Sequence, residues 1–379
     1  MKSKKIFISV IVFILIVSAL ILWNKSKTKN YSYGIYTQNS IDYAKTLKES
    51  SEESNSQAYK QLISLADKSL EDGINPVPFL RVPLFYQDTK GHIAASRPLA
   101  HDAYHAYTLS LAWKLTGDKK YADQAKKILD AWAKNNQLIS HKDDTPLVSS
   151  YAGVGLVNAA LLLKDDESWD QTAFRKWVSD NYLPTVKIAR DKENNWADWG
   201  NLASLASYSY LGKEEKFKKE VEYTKRLINK QIGVDGEMLQ EITRKENSMY
   251  YTYFALAPLT QSMYMIYNQT EVNLFDTDTS EGKKVKRALD YYYYFVENPN
   301  EWPYYTGPNL NKPFAQTPND YWPGSLFEAM SGIYPDSHYD KLVSKYRPIL
   351  GGNAVGRGPH HMAWNFPTLM KPNLEKASQ

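Results

Sequence analysis

Asn195, Arg244 and Tyr251 are the residues of this sequence best suited to hold a carboxylate and move a proton beside it. A planar guanidinium binds a carboxylate bidentately and keeps its charge. The Asn195 amide can donate to the same group, and a tyrosine hydroxyl serves as base or acid once a neighbouring cation lowers its ordinary pKa. A β-elimination at a uronic acid has three matching needs. The carboxylate must be neutralised so that the adjacent proton becomes acidic, that proton must be removed, and the leaving glycosidic oxygen must be protonated. Each residue also has a bland reading: Asn195 as a helix cap, Arg244 in a surface ion pair, Tyr251 as core. With no cysteine, disulfides and thiol chemistry are excluded, and no nucleophilic serine motif or phosphate loop competes.

Two stretches must position these groups. In 191-DKENNWADWGNLASLASYSYLG-212, Trp199, Leu202, Leu205 and Ala206 recur at steps of three and four. That spacing predicts a helix with one face inward and Asn195 at its mouth end. In 241-EITRKENSMYYTYFALAPL-259, Arg244 and Tyr251 stand seven apart. On one helix, seven steps of about 100° return to within about 20° of the start, so both would share one stripe.

Twenty-nine tyrosines and ten tryptophans are many for one domain. About half would fill a helical core, and the rest suit a carbohydrate cleft, where flat rings stack on sugar faces. Trp196, Trp199, Glu241, Tyr250, His101 and His105 are the expected substrate-binding residues. Lys2, Lys4 and Lys5 precede an apolar run, Ile6–Trp23, of eighteen residues, the only one of membrane length read from the sequence. It reads as an uncleaved signal-anchor, with a cleaved secretory signal as the alternative, and either would export the remainder of the chain. The first thirty residues hold six lysines and no acids, so the net charge of +4 leaves −2 for the remainder. Nucleic-acid binding thereby loses its support.

Residues 31–56 read as a polar linker, with the first helix around Tyr59–Leu70. The Pro- and Gly-rich stretch 72–100 reads as irregular, a lid or a mobile loop. From it Lys90, His92 and Arg97 would reach an acidic ligand, or else form an ordinary solvated surface. From His101 the chain reads as helical. Helix hairpins are expected over 104–134, turning at Thr116-Gly117-Asp118, and over 202–228, turning at Gly212, with a fainter copy at 327–346. Further helices fall near 149–163, 170–188, 248–267 and 281–297, without alternating strand patterns. The expected fold is all-α, an incomplete (α/α) toroid of antiparallel hairpins behind an N-terminal membrane-spanning segment; a superhelical solenoid is the alternative. His360-His361 has no partners at ligand spacing, so no metal and no cofactor is expected.

Asn194-Asn195, the 241–259 stretch, 318-PNDYWPGSLFEA-329 and 348-PILGGN-353 resemble the alginate lyase superfamily of helical-toroid polysaccharide lyases, over roughly residues 100–355. The resemblance implies an (α/α) barrel, no obligatory metal and elimination at a uronate. It also implies an Asn-His pair and an Arg on the carboxylate, and a Tyr that carries the proton. Asn195, Arg244 and Tyr251 match, while Trp196 stands where the family has its histidine. Indole has no basic nitrogen. Either Trp196 stacks on a sugar while Asn195 and Arg244 neutralise, or another base acts, for which His101 and His105 are candidates.

The resulting reading is a signal-anchor or signal peptide over 1–30, a linker over 31–56 and a toroid domain over 57–379. It is an exported lyase, membrane-anchored or secreted, acting on an acidic polysaccharide. No nucleic-acid partner is expected, the membrane is met only through the N-terminal segment, and the chain is expected to be a monomer. A hydrolase using two of Asp198, Glu241 and Glu246, or a non-catalytic exopolysaccharide-binding protein, are the alternatives.

Overall fold

The computed structural model describes residues 32–270, 272–304, 313, 322–335, 337–351 and 361–374. The N-terminal apolar run, residues 318–321 and 352–353 of the resemblance, and His360 lie outside the described residues. Helices follow one another as α1 (Gln38–Thr46), α2 (Glu53–Glu71), α3 (Thr89–Thr116), α4 (Lys119–Asn135), α5 (Thr145–Tyr151), α6 (Val154–Leu162), α7 (Thr172–Trp177) and α8 (Leu183–Arg190). They continue as α9 (Asn195–Leu211), α10 (Glu214–Gln231), α11 (Ser248–Thr270), α12 (Ser280–Glu297), α13 (Gly324–Ile333) and α14 (Tyr339–Val343). Two short parallel strands, Phe79–Leu80 and Leu138–Ile139, pair among them. The architecture is the expected all-α toroid of helix hairpins.

The hairpin turns arise from local chemistry. Gly117 and Gly212 end α3 and α9 in the left-handed conformation, at φ 74° and 68°, where a side chain would be strained. Asp118 then caps α4 by accepting from the Lys120 N–H. Helix α9 is the hub, packing against α5, α6, α8, α10 and α11. Trp199, Leu202, Leu205 and Ala206 are buried as expected, and so are most of the residues between them. Small side chains permit this crowding. A Cβ on Gly200 would lie 2.1 Å from the Arg190 backbone nitrogen, so α8 and α9 meet almost backbone to backbone.

Two expectations are corrected. The polar linker over 31–56 is instead largely part of the fold: Ile41, Ala44 and Leu47, three apart, bury one side of α1 and the turn after it, and Tyr33, Ile35 and Tyr36 are also core. Its polar majority masks an apolar minority spaced for one face. The irregular stretch expected over 72–100 ends at Asp88, whose side chain accepts from the Gly91 N–H and starts α3. Among the described residues, Thr145–Leu162 is also long and apolar enough to cross a membrane, but it is wholly buried as α5 and α6.

Candidate active site

Two adjacent asparagines build the N-terminus of α9. Asn194 is the cap, its side chain accepting from the Trp196 N–H at 3.2 Å. Asn195 is the first helical residue. Its backbone N–H, which no residue of its own helix can satisfy, donates to Glu241 Oε1 at 2.6 Å, and its amide donates to Oε2 at 2.9 Å. Asn195 and Glu241 are each 1% exposed. Burial raises the Glu241 pKa, and the two Asn195 bonds and the Arg244 charge oppose that rise. One turn into α9, Asp198 is fully buried; burial first, then the Glu241 charge, push its carboxyl well above the carboxylate range. A hydrogen bond from the Gln231 side chain opposes that rise.

Arg244 does not lie on α11. It sits in a 3-10 turn, Ile242–Asn247, in which Lys245 adopts φ 50° and ψ −125° and redirects the chain before α11 begins. The shared helical stripe expected for Arg244 and Tyr251 is replaced by this kink. It brings the same groups together, with the guanidinium carbon 5.0 Å from the Tyr251 ring centre. Arg244 Nε lies 3.8 Å from Glu241 Oε2, a charge contact longer than a hydrogen bond, and the side chain stays 35% exposed. Among the described residues its guanidinium makes no hydrogen bond, which leaves those donors for a ligand.

The Tyr251 and Tyr86 hydroxyls share a 2.7 Å hydrogen bond. Tyr86 comes from the exposed segment before α3. Burial, and then Tyr86, push the Tyr251 hydroxyl well above its ordinary pKa; Arg244 pulls it down but is outweighed. The lowered pKa expected from a neighbouring cation is therefore absent in the resting site, because desolvation of the phenolate is the larger effect.

Aromatic rings and two histidines surround this pair. His361 lies 4.8 Å from Phe254, 5.0 Å from Tyr151 and 6.0 Å from Trp199 between ring centres. Tyr251 is 6.0 Å from Phe254. His92, buried on α3, has Nδ1 2.9 Å from the Pro83 carbonyl and Nε2 3.5 Å from the Tyr151 hydroxyl. The sequence reads His92 as part of the irregular 72–100 stretch and gives His361 no role. Nothing local signals either one, because residues 92 and 361 meet the site only through the fold.

A cleft of about 530 Å³ opens beside Arg244, which lines it with Asp143, Lys192, Glu193, Asn194 and Trp196 among others. Of the expected substrate-binding residues, Trp196 lines it. Tyr250 is half-buried and stacks on Phe254. Trp199 and Glu241, each 1% exposed, are closed off from a ligand; Trp199 is core and Glu241 is the partner of Asn195. His101 and His105 contact Asp72, Asn75, Asp102 and Tyr104, and no contact joins them to Asn195, Arg244 or Tyr251 among the described residues. The helix face they share points to another part of the molecule.

The family model described as alginate lyase matches residues 28–302, well over half of the chain. The chain belongs to the alginate lyase family. It is a polysaccharide lyase. Its fold is similar to that of an alginate lyase from Bacteroides ovatus, with a TM-score of 0.66 at 16% identity over 83% of this chain and 95% of that one. It is also similar to a histidine-to-alanine variant of alginate lyase A1-III complexed with tetrasaccharide, with a TM-score of 0.64 at 17% identity over 83% and 94%. Alginate lyase A1-III from Sphingomonas species A1 gives 0.60 at 15% identity over 82% and 94%. No curated protein sequence matches the chain. At these identities the likeness to the solved structures speaks to the helical toroid alone.

Proposed function

We propose that this lyase is exported and cleaves a uronate-containing polysaccharide of the alginate type by β-elimination, with Arg244 and Tyr251 at the reacting centre. The observation that carries the reading is the Arg244 fork at the wall of the cleft, backed by Glu241 and 5.0 Å from the Tyr251 ring. The guanidinium takes the uronate carboxylate, which acidifies the neighbouring carbon-bound proton and holds the enolate that forms. Asn195, buried against Glu241, acts as a positioning residue for this fork rather than by touching the sugar. Tyr251 as phenolate takes the carbon-bound proton, and the resulting hydroxyl gives it to the glycosidic oxygen as the C–O bond breaks. The products are an unsaturated uronate and a new hydroxyl end. Trp196 offers a ring face to a sugar in the cleft, whose lining carries Lys192 and Arg244 alongside Asp143 and Glu193.

The tetrasaccharide held by the structurally similar A1-III variant supports an extended saccharide in this fold. Lys2, Lys4, Lys5 and the apolar run after them support export, with the domain left anchored at the outer face of the membrane. The carboxylate-pair hydrolase finds no support. Asp198 and Glu241 are buried, and neither faces the cleft. The test is a panel of polyuronides and neutral glycans, followed by the ultraviolet absorbance of the unsaturated product and by reducing-end assay. Absorbance growing with cleavage of a polyuronide is expected. Reducing ends without it, or no cleavage of any polyuronide, would overturn the proposal.

A further inference from the structure

Away from the cleft, His101 and His105 stand one turn apart on α3, with ring centres 3.9 Å from each other. Asp72, at the end of α2, places Oδ2 3.5 Å from His105 Nδ1. One potential ligand atom from each of the three lies within 4.8 Å of the other two. A separation of 3.5 Å is long for a hydrogen bond, yet close to the about 3.3 Å between two ligand atoms around a tetrahedral ion with bonds of about 2.0–2.1 Å. The second layer is also built. Asp102, 1% exposed, accepts from the Asn75 backbone at 2.7 Å, Trp132 Nε1 at 2.8 Å and the Asn75 amide at 3.1 Å. Asp102 Oδ1 also stands 3.2 Å from His101 Nδ1. A buried carboxylate so fixed holds the proton on Nδ1 and leaves the Nε2 lone pair for a ligand, as outer-shell carboxylates do for metal-binding histidines.

We propose that Asp72, His101 and His105 form a binding site for a divalent transition ion, zinc first among them, with solvent completing the coordination. Two imidazoles and one carboxylate suit zinc, whereas calcium and magnesium prefer all-oxygen sites. The ion serves structure rather than the elimination. It ties the end of α2 to α3 and so anchors the segment from residue 73 to 88 that carries Tyr86 to Tyr251.

The test uses the full chain in detergent, stripped with a chelator and titrated with zinc by calorimetry and with cobalt(II) by visible absorption. One ion per chain is expected, with tetrahedral cobalt bands, a higher melting temperature, and no displacement by excess magnesium. His101→Gln and His105→Gln should each weaken zinc by more than the about 10- to 100-fold typical of losing an outer-shell partner. Absence of saturable zinc binding, or unchanged affinity in both histidine variants, overturns the site. Should those variants fail to fold, exposed Asp72→Asn decides: a weaker zinc affinity supports the site, and an unchanged one overturns it.

Discussion

Tyr251 carries the sharpest prediction. Tyr251→Phe removes one hydroxyl and its bond to Tyr86, a stability loss of about 1 kcal/mol. Turnover on polyuronide should fall about 10²-fold or more with KM largely kept. Because burial holds the phenol protonated, the reactive phenolate fraction grows with pH, and kcat should climb from neutral into alkaline solution. A Tyr251→Phe protein as fast as wild type would move the base elsewhere, first to His361 and not to His101 or His105. Arg244→Lys should lose most activity with little change in melting temperature, since Glu241 keeps both Asn195 bonds and an ammonium cannot reproduce the fork. A large melting drop with activity intact would make Arg244 structural. Asp198 supplies a pH test of stability. Its folded pKa lies above the unfolded 3.8, so above that value the unfolded chain releases a proton the folded one retains. Its contribution therefore falls as pH rises from about 4 toward neutral. Asp198→Asn should flatten that slope in urea unfolding; an unchanged slope would show that Asp198 is ionised in the fold.

At the scale of the element, two tryptophans three residues apart on α9 should behave oppositely. Trp199→Ala empties a packed position between Tyr151 and Phe254 and should cost about 3–5 kcal/mol. Trp196→Ala, at the cleft, should leave thermal unfolding nearly unchanged and raise KM for polyuronide. Equal melting temperatures for the two variants would contradict this division. Helical period made the inward face of α9 legible, but not which tryptophan meets the ligand, because α9 is crowded by neighbours on nearly every side. The turn before α11 was not legible at all. Nothing in Arg244-Lys245-Glu246 announces the positive φ at Lys245, and a continuous helix was the natural reading.

For the whole molecule, removing residues 1–30 should leave a soluble protein with a helix-dominated circular dichroism spectrum. A sheet-dominated spectrum would end the toroid. Beginning the chain at residue 57 instead should lower the melting temperature markedly, because it strips Tyr33, Ile35, Tyr36, Ile41, Ala44 and Leu47 from the core. Equal melting of the two chains would show that α1 is dispensable. Each of the larger of those apolar side chains is worth up to about 1.5–3 kcal/mol when buried.

The amino-acid sequence by itself determined the helical class, the glycine-ended hairpins and the family. Periodicity, left-handed caps and short motifs are local properties, and they survive in whatever tertiary context the chain adopts. It also singled out Arg244 and Tyr251, since few other side chains in those stretches can handle a carboxylate and a proton. Only the tertiary structure decided the rest. It turned Asn195 and Glu241 into a buried bracket, brought Tyr86 onto Tyr251, set His361 among the site's aromatic rings, and gathered His101 and His105 with Asp72. It also reversed the expected pKa of Tyr251. Burial and long-range contact depend on which helices meet, and that information is spread over the whole chain rather than held at any one position.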